Sequence, residues 1–244
     1  MEMSGFTLRN LIHGSLYKMH CLVPKDYIWS KLHAADYHPD TQGIVARIET
    51  ARKNPSEYSL IQFWSKHLNE DLVVSGKDVL EIGHGGGWYL AEMIDAGSRK
   101  VFGLEISAEL NLRASQALAQ TGYSNFQLVT GSGSDLSALR GSTFDFIYAN
   151  TVVQHLSTQT LAKYLRDISG LLNDKGLCVL QVLQTQSSSS RKRFSRSDLF
   201  SVAYTTSEFN SLLLKYGFSL KDYAEIEYGG KDDYWGLYVF NRTL

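Results

Sequence analysis

The feature that most constrains the fold is a short apolar run that ends abruptly in glycines. Residues 79–87 read Val-Leu-Glu-Ile-Gly-His-Gly-Gly-Gly, and residues 88–96 resume with the apolar spacing of a helix. Glycine has no Cβ, so the chain can turn sharply there and a ligand can approach the bare backbone. A strand, a glycine turn and a helix N-terminus in succession predict a binding site for a nucleotide-like cofactor.

The spacing of these glycines distinguishes between cofactor classes. Counted from Gly83, the dinucleotide fingerprint Gly-x-Gly-x-x-Gly requires a glycine at position 88, where this chain has Trp88. The observed order is Gly83-x-Gly85-x-Gly87, and the acidic Glu81 precedes it. Because like charges repel, an acid just before the turn favours a cationic ligand over a pyrophosphate. A glycine turn that binds no cofactor is the alternative at this point.

Composition bounds the class of protein. The chain has 244 residues, of which 43% are hydrophobic, and its formal net charge of -1 gives no electrostatic reason to expect nucleic acid or an anionic membrane as a partner. It contains no apolar run of about 18 residues, so no membrane span is expected. Its two cysteines, Cys21 and Cys178, cannot form a disulfide framework, which favours a reduced, cytoplasmic setting. No group of acids and histidines has metal-ligand spacing, so no metal is expected.

Short β-prone runs alternate with amphipathic stretches from residue 77 onward. Strands are predicted at Asp78–Ile82, Val101–Leu104, Phe126–Val129, Phe144–Ala149 and Leu177–Leu183, and helices at 88–96, 108–120 and 158–172. Strict alternation predicts βαβ units, and therefore a parallel sheet with helices on both faces. The predicted fold class is α/β, with a Rossmann-like, doubly wound sheet.

The two ends of the chain depart from this alternation. Residues 1–70 have helical patterns, with one helix over Thr41–Lys53 and Ser56 as the predicted N-cap of the next. After a helix near Thr206–Tyr216, two β-prone runs flank a Gly-Gly-Lys-Asp-Asp loop and predict an antiparallel C-terminal β-hairpin. The expected division is an N-terminal helical segment over 1–70 and a main domain over 71–244.

A second acid marks the end of the next predicted strand. Glu105 lies 18 residues after Gly87, at the tip of the run Val-Phe-Gly-Leu-Glu. The two oxygens of a carboxylate there could each accept a hydrogen bond from a ribose hydroxyl, and the following Ile106 could pack on an adenine face. The alternative for Glu105 is a surface acid that caps the helix beginning after Ser107.

Together these segments resemble the class I S-adenosylmethionine (SAM)-dependent methyltransferases. Motif I of that family reads Asp/Glu-x-Gly-x-Gly-x-Gly, as residues 81–87 do here, and residues 144–156 resemble the family signature "fDfv…vlqHl". The mostly parallel sheet with a terminal antiparallel hairpin is similar to the family architecture, whereas NAD-binding Rossmann domains lack the hairpin. The resemblance covers about residues 77–242. It implies SAM as the cofactor and an N-terminal helical lid over the site.

The resemblance also implies roles for residues after the third and fourth strands. Residues 130–136 resemble the family segment that contacts adenine, although Ser132 replaces the usual acid, which leaves Asp135 and Leu136 as the candidate contacts. Asn150 and Val152 follow the fourth strand, where ligands bind in open α/β sheets, and are further candidate contacts of the cofactor. His155 would face the gap between methyl donor and acceptor. It is the candidate catalytic base, and a structural role is the alternative.

The acceptor is less constrained than the cofactor. The Pro-Pro motif of nucleic-acid amino methyltransferases is missing after the fourth strand, where residues 149–152 read Ala-Asn-Thr-Val. The prediction is therefore transfer to an oxygen or nitrogen atom of a small molecule, such as a natural product, sugar or lipid. A SAM-binding partner or regulatory protein without transferase activity is the alternative, and an NAD-dependent oxidoreductase is disfavoured. The basic loop 185–198 is either a flap for an acidic acceptor or a solvated loop.

Overall fold

The computed structural model describes residues 40–186, 192–193, 201–227 and 233–243. Three predicted features fall partly or wholly outside these residues. They are the part of the predicted N-terminal helical segment before residue 40, most of the basic loop 185–198, and the hairpin loop before residue 233. No helix in the described ranges is long and apolar enough to cross a membrane.

The described elements follow the predicted alternation. The helices are α1 (Thr41–Lys53), α2 (Pro55–Tyr58), α3 (Leu60–His67), α4 (Trp88–Asp95), α5 (Ala108–Gln120), α6 (Thr158–Leu171) and α7 (Thr206–Lys215). The strands are β1 (Asp78–Ile82), β2 (Lys100–Glu105), β3 (Phe126–Thr130), β4 (Phe144–Ala149), β5 (Leu172–Thr185), the short β6 (Lys192–Arg193) and β7 (Ser201–Val202), then β8 (Phe218–Glu227) and β9 (Asp233–Arg242). Single turns of 3₁₀ helix cover Ser137–Leu139 and Val153–His155.

Seven strands form one sheet in the order β3-β2-β1-β4-β5-β9-β8. Strands β1 to β5 pair in parallel, and β9 pairs antiparallel with both β5 and β8. This confirms the predicted α/β class, the doubly wound sheet and the C-terminal antiparallel strands. The strand order reverses between β1 and β4, and in such sheets ligands bind at the carboxyl ends of the strands beside that point.

Apolar layers cover both faces of the sheet, as a parallel sheet requires. On one face, helices α1, α3, α4 and α5 pack through residues such as Ile44 and Leu90 against Val79 and Tyr148. On the other face, α6 and α7 pack against a cluster that includes Leu80. Neighbouring residues Val79 and Leu80 therefore belong to opposite layers, which is the alternation expected of a strand.

The described N-terminal helices belong to the core of the main domain. Trp64 is 2% exposed, and its ring meets that of Tyr148 edge-on at a centroid separation of 5.4 Å. The carboxylate of Asp222 in β8 accepts hydrogen bonds from the backbone amides of Asn69 and Glu70. Among the described residues, these helices thus pack into one cluster with the sheet, and the division at residue 70 stays a prediction.

The helix after Pro55 begins later than predicted. Pro55 opens the short helix α2, and Ser59 rather than Ser56 caps α3 by accepting from the amide of Gln62 at 3.0 Å. Ser59 also donates to Glu92 of α4 at 2.5 Å, and Glu92 accepts from the amide of Leu60 at 2.9 Å. This tertiary contact fixes the start of α3 at a position that local sequence does not reveal.

Candidate active site

The glycine turn after β1 adopts backbone angles that favour glycine. Gly83, Gly85 and Gly87 have φ values of 75°, 54° and 78°, in the left-handed region where a side chain is strained. A Cβ at Gly83 would also collide with the Cγ2 of Val152, which follows β4. The turn therefore lies directly against the segment after β4, and Gly87 forms the N-cap of α4.

Glu105 holds this turn from the neighbouring strand. Its carboxylate is 7% exposed and accepts hydrogen bonds from the backbone amides of Gly85 at 3.1 Å and Ser107 at 3.0 Å. A carboxylate oxygen has more than one acceptor position, so each oxygen can accept a further bond. Glu105 is thus oriented at the carboxyl end of β2 by two backbone donors, and it retains the capacity to accept from a diol.

His84 is a buried member of the turn that the sequence did not single out as a functional residue. Its Nε2 lies 2.7 Å from the Oδ1 of Asn111 in α5, and Asn111 in turn donates to the hydroxyl of Thr130 at 2.6 Å. A Cβ at Gly103 of β2 would collide with the imidazole ring, so that glycine makes room for it. Burial lowers the pKa of His84, and the neutral ring links the turn to α5 and β3.

The segment after β3 lies against Ile106. A Cβ at Gly133, where φ is 70°, would collide with the Cδ1 of Ile106. Asp135 is held by the residue two positions on, because its Oδ1 accepts from the hydroxyl of Ser137 at 2.5 Å and from the amide of Ser137 at 3.1 Å. The Ser137 hydroxyl, followed by its amide, lowers the pKa of Asp135, which is therefore ionised.

Leu136 lies buried at the start of the same segment, and its role in cofactor binding stays a prediction. Its side chain is 1% exposed within the core, and its amide donates to the carboxylate of Asp167 at 2.9 Å. Its carbonyl accepts from the amide of Leu139 at 2.9 Å. Both backbone groups are thus occupied within the protein, and the residue anchors the segment from below.

Glu81 lies in the core layer beneath the turn. Its carboxyl group is 2% exposed and accepts a hydrogen bond from the hydroxyl of Tyr148 at 2.9 Å. Burial raises its pKa to about 8, so the group is mostly protonated at neutral pH in this state. The role of Glu81 in cofactor binding stays a prediction, and its bond with Tyr148 fixes the carboxyl group beneath the turn.

Strain is concentrated immediately after β4. Thr151 has a φ of 56°, an uncommon value for a β-branched residue and one that often marks a functional site. Its amide donates to the Oε1 of Gln181 in β5 at 2.9 Å, and its carbonyl accepts from the Nε2 of Gln154 at 2.7 Å. Two glutamines therefore hold this conformation, which sets the positions of Asn150 and Val152 on either side.

The imidazole of His155 is in contact with the same amide. The Nε2 of Gln154 lies 3.2 Å from the Nε2 of His155 and also donates to Thr151. An amide nitrogen carries hydrogens only, so in this arrangement the Nε2 of His155 is the acceptor of the pair. For Nε2 to take a proton from a substrate, His155 would first have to leave Gln154.

A cavity of about 530 Å³ lies between α1, α2, α3 and α4 and reaches the carboxyl ends of β4 and β5. Asn150 and Gln181 line it at the sheet, and the helices contribute aromatic side chains and charged side chains of both signs, including Arg47, Phe63, Trp88 and Tyr89. Among the predicted site residues, only Asn150 lines this cavity. The helix residues gave no local signal in the sequence, because they come from separate segments brought together by folding.

Part of the chain matches a known protein family. Residues 79–176 match the family described as the methyltransferase domain. This range contains the glycine turn, Glu105 and the segment after β4. No curated protein matches the sequence.

Several solved structures share the fold. A SAM-dependent methyltransferase from Methanosarcina mazei is 16% identical with a TM-score of 0.61, over 77% of this chain and 98% of that one. The 1,6-didemethyltoxoflavin-N1-methyltransferase of Burkholderia thailandensis, with bound 1,6-didemethyltoxoflavin and S-adenosylhomocysteine, is 18% identical with a TM-score of 0.58, over 84% and 87% of the two chains. The 4+2 cyclase SpnF is 11% identical with a TM-score of 0.60, over 70% and 76%. At these identities the likeness is one of fold.

Proposed function

We propose that this chain is a SAM-dependent methyltransferase of class I, as its domain match and its fold support, and that it transfers the methyl group to an oxygen or nitrogen atom of a small-molecule acceptor. The observation that carries the proposal is the cavity of about 530 Å³ beside the ends of β4 and β5, a volume typical of small-molecule sites. The Burkholderia neighbour, whose structure holds a small-molecule substrate together with S-adenosylhomocysteine, supports the same view.

The residues of the turn fit the cofactor. The backbone of Gly83, Gly85 and Gly87 has the positive φ angles that favour glycine, and each oxygen of Glu105, already bonded to one amide, can accept a further bond from a ribose diol. We assign Ile106 to the adenine face, Asp135 to the adenine amino group, and Asn150 and Val152 to the end where donor and acceptor meet. When bound, SAM supplies a methyl group that is already activated by its sulfonium.

The contribution of the protein is then mainly positioning. The helices α1 to α4 would hold the acceptor in the cavity and exclude water, while Thr151 and its two glutamines would keep the end of β4 rigid. Holding two reactants in line can lower a barrier by about 7–11 kcal/mol. The N-terminal segment over 1–70 would serve as the roof of this site, and a cytoplasmic location is part of the same proposal.

His155 is the candidate that removes the acceptor proton. It lies five residues beyond Asn150, in the 3₁₀ helix after β4. Its Nε2 is in contact with the Nε2 of Gln154. If His155 is the base, His155→Ala lowers kcat by about 100-fold or more at unchanged SAM affinity. The initial rate of S-adenosylhomocysteine formation at saturating SAM and acceptor measures this loss of kcat. Full turnover in the variant would refute the base role.

A SAM-binding protein without transferase activity is the second candidate. The fold likeness to a cyclase, SpnF, favours keeping it, because the fold by itself does not specify methyl transfer.

The deciding experiment combines binding with turnover. Calorimetric titrations with SAM and NADH should give binding of SAM only. Incubation with SAM and a panel of hydroxylated and amine-bearing small molecules should then release S-adenosylhomocysteine with at least one of them. SAM binding without release across the panel would favour the second candidate, and absence of SAM binding would contradict both.

A further inference from the structure

Three of the five charged side chains that line the acceptor cavity are engaged in contacts within the protein. Arg52 pairs with Asp95 through contacts of 3.0 and 3.3 Å at the far end of α4. Glu92 uses its carboxylate to hold the start of α3, where it accepts from Ser59 and from the amides that follow. These three side chains therefore shape the cavity but have little free charge for a ligand.

Two charged side chains remain, and they differ in their surroundings. Glu57 accepts a hydrogen bond from the hydroxyl of its neighbour Tyr58, which raises the pKa of that tyrosine. Arg47 has no carboxylate partner among the residues that the structure describes. Instead its guanidinium lies over the ring of Trp88 at 3.8 Å from the centroid. Arg47 is thus the cation of the cavity wall that is available to a ligand.

The ring of Trp88 is a fixed platform for this guanidinium. Trp88 is the first residue of α4, and a Cβ at Gly86 would collide with its ring, so the indole packs directly on the glycine turn. A guanidinium stacked flat on an aromatic ring is attracted to its face and keeps its N–H edge turned outward. That edge has the geometry to bind a planar carboxylate through two parallel hydrogen bonds.

We propose that Arg47, held on Trp88, binds a carboxylate carried by a flat aromatic acceptor; this inference rests on the proposed methyl transfer. The cavity walls include the rings of Phe63, Trp88 and Tyr89, which suit a planar apolar body. A single guanidinium matches a monoanion. A phosphate dianion would meet only this one cation and would face the carboxylate of Glu57 as well.

The placement also orients the acceptor. Arg47 lies on α1, on the helical side of the cavity, whereas Asn150 and Gln181 line it at the sheet. An acceptor anchored by its carboxylate at Arg47 would therefore direct its opposite end toward the carboxyl edge of β4. In a hydroxylated or amine-bearing aromatic acid, that end carries the atom to be methylated.

Binding to the protein saturated with S-adenosylhomocysteine tests this inference without depending on turnover. The probes are 4-hydroxybenzoate, 3,4-dihydroxybenzoate, 4-hydroxycinnamate and indole-3-acetate, each compared by calorimetry with its methyl ester. We expect at least one acid to bind about tenfold or more tightly than its ester, as a charge-assisted bidentate contact implies. If no acid binds more tightly than its ester, the inference is overturned.

Variants of α1 localise the effect. Arg47→Ala should remove the preference for the acid, weakening it by about tenfold or more while leaving the ester and S-adenosylhomocysteine unchanged. Arg47→Lys should restore only part of it, because an ammonium lacks the planar fork. Lys53→Ala is the control, since it removes a cation from the same helix without touching the cavity.

The two proposals fail in different ways. Failure of S-adenosylhomocysteine to bind the wild-type protein would contradict the methyltransferase function itself. Binding of S-adenosylhomocysteine with an acid preference that survives Arg47→Ala would overturn only the role of Arg47.

Discussion

The two halves of the site are built in different ways. On one side, the ends of β1, β2 and β3 form a surface from backbone turns, where Glu105 accepts from the amides of Gly85 and Ser107 and His84 bonds to Asn111 of α5. On the other side, the acceptor cavity is formed by side chains of α1, α3 and α4 together with Asn150 and Gln181. Backbone geometry suits a cofactor that is the same in every turnover, whereas side chains can vary with the acceptor.

This difference leads us to expect separable effects. Changes in the glycine turn should affect SAM binding and folding, and changes in the cavity should affect acceptor binding alone.

The largest effect is expected where backbone and packing constraints coincide. Gly83→Val would place a side chain against Val152 at a φ of 75°, and should abolish detectable SAM binding and lower the free energy of unfolding by about 2–4 kcal/mol. Thermal unfolding and calorimetry would measure both. Gly122→Ala is the control, because Gly122 has a similar φ of 89° but no atom within 4 Å of its Cβ position. Equal SAM affinity in Gly83→Val and wild type would contradict the assignment of the glycine turn to SAM binding.

Glu105→Gln should weaken SAM binding by about 10- to 100-fold, because a neutral amide offers one acceptor oxygen in place of two ionised ones. Acceptor affinity in the absence of SAM should change little. Glu109→Gln, in the first turn of the next helix, removes a nearby half-buried carboxylate that pairs with Arg113 and should leave SAM binding intact. Unchanged SAM binding in both variants would break the proposed division of the site.

The third prediction uses pH to test His84. Its pKa in the folded state lies below the unfolded value of 6.5, so protonation favours the unfolded chain. The contribution of His84 to stability is therefore complete above about pH 6.5 and is lost as the pH falls below that value. His84→Gln should reduce the loss of thermal stability and of SAM affinity that the wild-type protein shows below about pH 6.5. His67→Gln, at the end of α3, is the control and should show the same pH dependence as the wild-type protein.

Asn150→Ala should give the smallest change in binding, and it tests most closely whether acceptor and cofactor bind to separate parts of the site. We expect acceptor affinity to fall by about fivefold, the value of one hydrogen bond, with SAM affinity changed by less than about twofold. Competition binding at fixed pH would measure both constants. A larger loss of SAM affinity than of acceptor affinity would return Asn150 to the cofactor half.

The sequence predicted the strands of the sheet more completely than the contacts that form the cavity. Strands Asp78–Ile82 and Phe144–Ala149 were predicted residue for residue, because apolar runs there are bounded by glycines and polar residues. The strand predicted at Leu177–Leu183 extends over Leu172–Thr185, since pairing with β9 and β4 lengthens it beyond its own apolar run. Local pattern thus locates an element, and tertiary pairing sets its ends.

The features that the sequence did not reveal depend on contacts between distant segments. The start of α3 is set by Glu92 from another helix, and the role of His84 depends on Asn111. Arg47 and Trp88 meet only when α1 packs beside α4. In the sequence, Trp88 shows only that the third glycine of a dinucleotide fingerprint is missing. In the structure, its ring lies under the guanidinium of Arg47 and lines the cavity.

The most direct measurement is a crystal structure of the protein with S-adenosylhomocysteine. We expect the ribose hydroxyls on the carboxylate of Glu105, the adenine beside Ile106, and the sulfur atom facing the end of the cavity marked by Asn150 and Gln181. A complex in which the sulfur faces away from that cavity, or in which Glu105 does not contact the ribose, would contradict the assignment of the two halves.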